Sequence, residues 1–325
     1  MSREVLAHLL KGSPFIKYLD IEPYGLQLPS FIATAYGLKP AMDMWVRSDA
    51  WSSFRELANS LGLHWHVDAY FDRNPAAVSK IQSPVKLTTT RALLSKKFRA
   101  QEEAHVFVAR SQQDLFNSVC AGWYPLIVNG RIIDKHLADH ENFGQALGYP
   151  QCCRDFFRAN NNWHYENTYY AAYKNTKTVP QSLSNGLLRH TAFSFTPHIA
   201  CSFICESTIN YGAKLLALVA QEVSVSYADE ISRRLATPIL CLSELKIYRF
   251  EGRMQLSNQV QYSAVEPVNP TRCTDSLYKM LNQGDKCIID SNVLRIYAGK
   301  RQIHAYQARA DQHGPEFPFI IQCVT

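Results

Sequence analysis

Nothing in the 325-residue sequence approaches the run of about 18 apolar residues that a membrane-spanning helix needs. The opening stretch, MSREVLAHLLKGSPF, lacks the basic-then-apolar leader and small-residue cleavage site of a secretory signal. Glycine (14) and proline (15) are too sparse for a fibrous or low-complexity chain. Charged residues reach only 19%, against 46% apolar residues, so there is enough apolar surface to offset chain entropy and the bulk of the chain is expected to fold. Neither common glycine-rich phosphate fingerprint is present, and no Gly-x-Ser-x-Gly elbow surrounds any serine. No internal repeat is found. The expectation is a soluble folded protein with a cytoplasmic location and no membrane partner.

Charge is also in short supply. The net charge of +6 and the pI near 8.8 are mild for a chain of 37.0 kDa. A dedicated nucleic-acid binder concentrates Lys and Arg. The densest cluster here is Arg91, Lys96, Lys97 and Arg99, which a solvated helix face explains as well as a phosphate track does.

The patterning predicts an α+β fold in three stretches. Residues 1–133 read as a mixed α/β region. Ser48–Leu61 has helical periodicity, with Ser48 or Asp49 as cap and Phe54, Leu57 and Leu61 on one face, ended by Gly62. Leu63–Tyr70 alternates as a strand. Ala104–Ala109 reads as a short strand leading into a helix at Ser111–Cys120, and Leu126–Ile133 as a hairpin turning at Asn129-Gly130. Residues 134–236 read as mainly helical: Asp134–Leu147, closed by Gly148; a helix after Pro150; an aromatic-rich Trp163–Tyr173; an extended Ala192–Ala200; and a long helix from Ser202 to Leu235 with a break at Val223–Val225. Residues 237–325 alternate with period two in KIYRFEG, QVQYSAV, KCIID, VLRIYAG and QIHAYQA, the signature of a small antiparallel β region, with one helix near Thr274–Asn282.

Cysteine is the informative residue. Nine are present, an odd number, and in a chain without a leader disulfides are not expected to persist. Cys120, Cys241, Cys273, Cys287 and Cys323 stand singly in apolar surroundings and read as core packing. The other four form two groups: Gly148-Tyr149-Pro150-Gln151-Cys152-Cys153, and His198-x-x-Cys201-x-x-x-Cys205. Thiolates are strong ligands for zinc and for iron–sulfur clusters, and imidazole suits zinc. A structural zinc takes four such ligands, and a cubane cluster takes four cysteines. Both groups are predicted at helix N-termini, where backbone N–H groups favour thiolates. Adjacent side chains diverge along a helix, so one of Cys152 and Cys153 is expected to face the core.

These residues carry a resemblance. GYPQCCRDFF, followed some fifty residues later by PHIACSFICESTINYG, resembles a prokaryotic family of unknown function whose members carry G-Y-P-x-C-C near a phenylalanine pair and H-x-P-C-S-x-x-C before a small-residue helix. The C-terminal PEFPFII resembles that family's Pro-x-Phe-Pro-Phe ending. The resemblance covers roughly residues 122 to 325 and marks Cys152, Cys153, His198, Cys201, Ser202 and Cys205; Ala200 stands where the family has proline. It implies a site and no substrate.

Three further patterns carry chemistry. His136, Asp139 and His140 share a face of the helix before GYP. His140 is the first candidate among them for a general base, with Glu141 as the nearby carboxylate. His64, His66 and Asp68 alternate on a predicted strand and point to one face. Trp163, His164, Tyr165, Tyr169, Tyr170 and Tyr173 read as core packing with polar tips, or as a stacking surface for a ring substrate.

The leading expectation is a metal-dependent enzyme of unknown small-molecule or peptide substrate. Its ligands would come from Cys152, Cys153, His198, Cys201 and Cys205, its metal would be zinc or alternatively a [4Fe–4S] cluster, and His140 and Glu141 would serve catalysis. One alternative is a metal-stabilised binding protein, with nucleic acid as the first partner to test. Another is a metal-free thiol enzyme using Cys152 or Cys153.

Overall fold

The computed structural model describes residues 3–72, 93–95, 102–122, 125–128, 131–134, 140–160, 167–189, 191–244, 246–269, 275–309 and 316–324. The α+β expectation holds: helices and antiparallel sheets occur together, with strands concentrated toward the C-terminus. Contacts divide the chain into two compact units, residues 1–155 with 218–225, and residues 156–217 with 226–325. No helix among the described residues is long and apolar enough to cross a membrane.

The first unit is built on a four-stranded antiparallel sheet of β1 (Ala41–Arg47), β2 (His64–Asp72), β3 (Leu93–Ser95) and β4 (Glu102–Ala109), in the order β1-β4-β2-β3. Strand β4 is central and buried at every position, which its run AHVFVA dictates. In β1 burial alternates from Met42 onward, so Met42, Met44 and Val46 share the more enclosed face. Helix α1 is Arg3–Leu9. Helix α2 (Leu28–Ala35) is buried along its length. The predicted helix at Ser48–Leu61 is a single 3₁₀ turn at Ser48–Ala50 followed by α3, Trp51–Ser60. Phe54 and Leu57 are buried as the periodicity requires, and Leu61 falls just past the helix end. Helix α4 (Gln112–Ala121) is capped by Ser111, whose Oγ accepts from Asp114 N at 3.0 Å.

The hairpin is β5 (Pro125–Val128) with β6 (Arg131–Asp134), pairing Val128 with Arg131; its expected turn at Asn129-Gly130 lies outside the described residues. Asp134 therefore ends a strand and does not start a helix. Helix α5 is described over His140–Ala146.

The second unit carries a seven-stranded antiparallel sheet in the order β12-β11-β10-β9-β8-β7-β13. Its strands are β7 (Ile239–Ser243), β8 (Lys246–Leu256), β9 (Gln259–Pro267), β10 (Lys286–Asp290), β11 (Val293–Ala298), β12 (Arg301–Gln307) and β13 (Phe319–Ile321). The five period-two segments read from the sequence are β8 to β12; β7 and β13 are not among them. Tyr248, Phe250, Val260, Leu294 and Ile296 form the core beneath them with Leu277 and Leu281 of a short helix, Ser276–Leu281.

Helix α6 is Gln151–Asn160 and α7 is Thr168–Lys174, whose cap Asn167 accepts through Oδ1 from Tyr169 N and Tyr170 N. Tyr170 stacks on Phe317 with centroids 4.9 Å apart, and Tyr173 on Phe319 at 4.5 Å, so these tyrosines pack against the PEFPF segment. Trp163, His164 and Tyr165 lie outside the described residues.

The expected extended segment Ala192–Ala200 forms turns and bends with no strand, because its backbone bonds go to local partners such as Ser194 N to Thr191 O at 3.2 Å. The expected long helix is two: α8 (Glu206–Glu222) and α9 (Val225–Leu235), parted at Val223–Ser224 as anticipated but starting four residues later than Ser202. Among the single cysteines, Cys241, Cys287 and Cys323 are buried, and burial pushes the thiols of Cys287 and Cys323 up to about 12. Cys120 departs from the packing expectation and is exposed on α4; Cys273 lies outside the described residues.

Candidate metal centre

The segment Gly148–Cys153 owes its shape to the end of α5. Gly148 N donates to Gln145 O at 2.9 Å and Tyr149 N to Gly144 O at 2.8 Å, the paired bonds of a Schellman closure. That closure needs a left-handed residue, and Gly148 has φ +76°. A Cβ there would also sit 2.6 Å from Pro40 Cδ. Pro150 follows as the residue whose carbonyl accepts the first bonds of α6, from Cys153 N and Arg154 N at 3.0 Å each. Cys152 and Cys153 thereby occupy the first turn of α6.

Arg154 braces this turn. Its Nε donates to Glu141 Oε1 at 3.0 Å and its Nη1 to the carbonyl of Tyr149, while Nη2 donates to Gln151 Oε1. Gln151 Nε2 donates to the same Glu141 oxygen at 3.2 Å. Gly144 makes room for the arrangement, since a Cβ there would meet Arg154 Cδ at 2.9 Å. Glu141 is thus engaged as an anchor for the Cys-bearing turn. His140 opens α5, and its side chain lies outside the described residues, as do His136 and Asp139.

The second group lies on the loop before α8. Asn175 Nδ2 donates to Cys201 O at 3.2 Å, Phe203 N donates to Thr176 Oγ1 at 2.9 Å, and Phe203 O accepts from Gln181 N at 2.8 Å. Cys205 is the residue before the first turn of α8 rather than within it: its carbonyl accepts from Ile209 N at 2.9 Å.

The ligand atoms of Cys152, Cys153, Cys201 and Cys205 all lie within 4.8 Å of one another. Cys152 is exposed, Cys201 half-buried, and Cys153 and Cys205 buried. Cys153 is the buried member of the pair and Cys152 the exposed one, and both sulfurs belong to the group, 3.9 Å apart. Four soft donors gathered at two helix N-termini make a group able to hold a thiophilic metal, zinc or iron–sulfur in character. His198 is not in that group; its Nε2 lies 3.0 Å from Thr208 Oγ1.

A second cluster of ionisable groups sits on the first unit's sheet. His105, on β4, is fully buried, with Nε2 3.3 Å from Asp43 Oδ2 and Nδ1 3.4 Å from Asp68 Oδ2. Burial opposes a charge on this imidazole, and the hydrogen bonds and charges of Asp43 and Asp68 outweigh it and raise its pKa. Asp68 reaches His105 because β2 bulges between Val67 and Ala69. His64 and His66 take no part in these contacts; His66 is exposed. Sequence reasoning missed Asp43 and His105. The available signal was one polar residue inside each of two apolar strand runs, AMDMWV and AHVFVA.

Compared with known proteins, the chain matches no family model, no curated protein and no solved structure.

Proposed function

We propose that the chain binds one zinc ion through Cys152, Cys153, Cys201 and Cys205, and that the ion serves as a structural fixture rather than as the reacting centre. The gathering of four thiols within 4.8 Å carries this reading. Zinc–thiolate bonds of about 2.3 Å in a tetrahedron set the sulfurs about 3.8 Å apart, close to the 3.9 Å between Cys152 and Cys153. A cubane places each thiolate on a separate iron and holds its four sulfurs wider apart than the ligands of a single ion. Four thiolates also close the coordination shell, whereas catalytic zinc keeps a position open for water or substrate. The ion would then fix the first turn of α6 and the Cys201–Cys205 loop, both of which the surrounding backbone already shapes.

X-ray absorption at the zinc edge of the full chain tests this. Four sulfurs at about 2.3 Å with no nitrogen or oxygen support the closed site. Three sulfurs with one light atom would restore the open, enzyme-like centre in which a metal activates water. A brown protein with acid-labile sulfide would replace zinc by a cluster.

A further inference from the structure

We propose that Cys152 is a site of oxidation by hydrogen peroxide, and that its oxidised sulfur closes a disulfide with Cys201 and so releases the ion from the four-thiolate group. The assignment rests on the four-thiolate zinc reading and adds a chemistry to it. The four sulfurs are not equally protected. Cys152 is exposed and Cys201 half-buried, while Cys153 and Cys205 are only 2% and 6% exposed. A zinc-bound thiol is held as the thiolate, the form that peroxide attacks. Oxidation follows thiolate character and exposure together. All four ligands share the first, so exposure decides and selects Cys152.

Geometry then selects the partner. The Cys153 sulfur is 3.9 Å away, yet it cannot close the bridge while α6 keeps its first turn. Neighbouring Cα atoms on a trans peptide stand about 3.8 Å apart, short of the roughly 4.4–6.8 Å that disulfides span. The bonds from Cys153 N and Arg154 N to Pro150 O hold that turn. Cys201 and Cys205 belong to a different segment, and their sulfurs lie within 4.8 Å of Cys152. Cys205 is buried and tied through its backbone on both sides, its N donating to Ser202 O at 3.2 Å and its O accepting from Ile209 N at 2.9 Å. An S–S bond of about 2.05 Å requires a side chain to move, and in a close-packed interior that falls to the less enclosed one, Cys201.

An electron pair on the Cys152 thiolate sulfur attacks one peroxide oxygen, the O–O bond breaks, and the departing hydroxide takes a proton to become water. Cys152 is thereby oxidised to the sulfenic acid and the peroxide is reduced. The Cys201 thiolate then attacks the Cys152 sulfur. The S–S bond forms, the S–O bond breaks, and a second hydroxide leaves and is protonated to water. Two thiolates, one hydrogen peroxide and two protons thus give one disulfide and two waters. The ion keeps only Cys153 and Cys205, half of the shell that a structural zinc requires, and dissociates.

Peroxide treatment of the full chain carrying Cys120→Ala, which removes the exposed thiol of α4, tests the assignment. Zinc release is read with a chromophoric chelator, the sulfenic acid is trapped with dimedone, and the disulfide is located by mass spectrometry of unreduced peptides. Peroxide is expected to release zinc at least tenfold faster than the chelator alone. Dimedone is expected to label Cys152 ahead of the other three ligands, and the bridge to join Cys152 to Cys201. A chain that holds no zinc before treatment overturns the zinc reading and the assignment with it. Zinc present at the start and kept through treatment, first labelling of Cys153, Cys201 or Cys205, or a bridge that is absent or joins any other pair of cysteines overturns the peroxide assignment alone.

Discussion

Cys152 and Cys153 bring their sulfurs to 3.9 Å although they are neighbours on one helix. Within a helix, successive side chains point about 100° apart around the axis. The two thiols meet because they stand in the first turn, where Cβ vectors lean toward the N-terminus and no preceding turn intervenes. The Schellman closure at Gly148 and the Pro150 carbonyl place that turn, and both are encoded in the motif GYPQCC.

The brace from Arg154 to Glu141 is expected to matter for metal affinity rather than for ligand identity. Arg154→Ala or Glu141→Gln should weaken metal binding by about 10–100-fold, as loss of outer-shell support does elsewhere, with stoichiometry retained at saturation. Competition against a chromophoric chelator measures this. Affinity equal to wild type would show that the turn holds itself.

Gly148 is expected to resist substitution. Gly148→Ala forces a left-handed backbone on a residue with a Cβ, at about 1–2 kcal/mol, and adds the contact with Pro40. Urea denaturation should show the loss, and Gln112→Ala at an exposed position of α4 should not. A neutral Gly148→Ala would contradict the closure described for α5.

Much of this was legible in the sequence because local chemistry and tertiary structure agree there. Alternation marked β8 to β12, and the break near Val223 parted α8 from α9. The four cysteines were legible as a set because their residue type is rare and soft. The omission of His198 from the gathered group was not legible: whether an imidazole three residues from Cys201 turns toward sulfur or toward Thr208 depends on the loop, which periodicity does not describe. The Asp43–His105–Asp68 cluster was hidden for a similar reason, since its partners lie 62 and 37 residues apart and meet only through strand order and a bulge.

Lys39 is expected to make stability depend on pH. Burial lowers its amine from 10.5 to about 7, with Asp43 acting in the opposite sense. Between those values the unfolded chain binds more protons than the folded one, so stability rises with pH across the window, by up to about 1.4 kcal/mol per pH unit. The penalty is full below about 7 and gone above 10.5. Lys39→Met should flatten this slope in denaturation curves compared at matched pH. Parallel curves for the two proteins would refute the buried amine.

His105 acts with the opposite sign. Its folded pKa is raised above 6.5, so its contribution is fully present below 6.5 and is lost as pH rises through the raised value. The destabilisation caused by His105→Asn should therefore be larger at pH 6 than at pH 9. An effect that is the same at both would mean that the imidazole is not charged between its two carboxylates.

Metal content per chain tests the central claim most directly. Protein purified without oxygen is expected to carry one zinc per chain, to keep it in His198→Ala and Cys120→Ala, and to lose it in Cys153→Ala and Cys205→Ala. A wild-type chain with no metal, or zinc retained after removal of either buried thiol, would contradict the four-thiolate site.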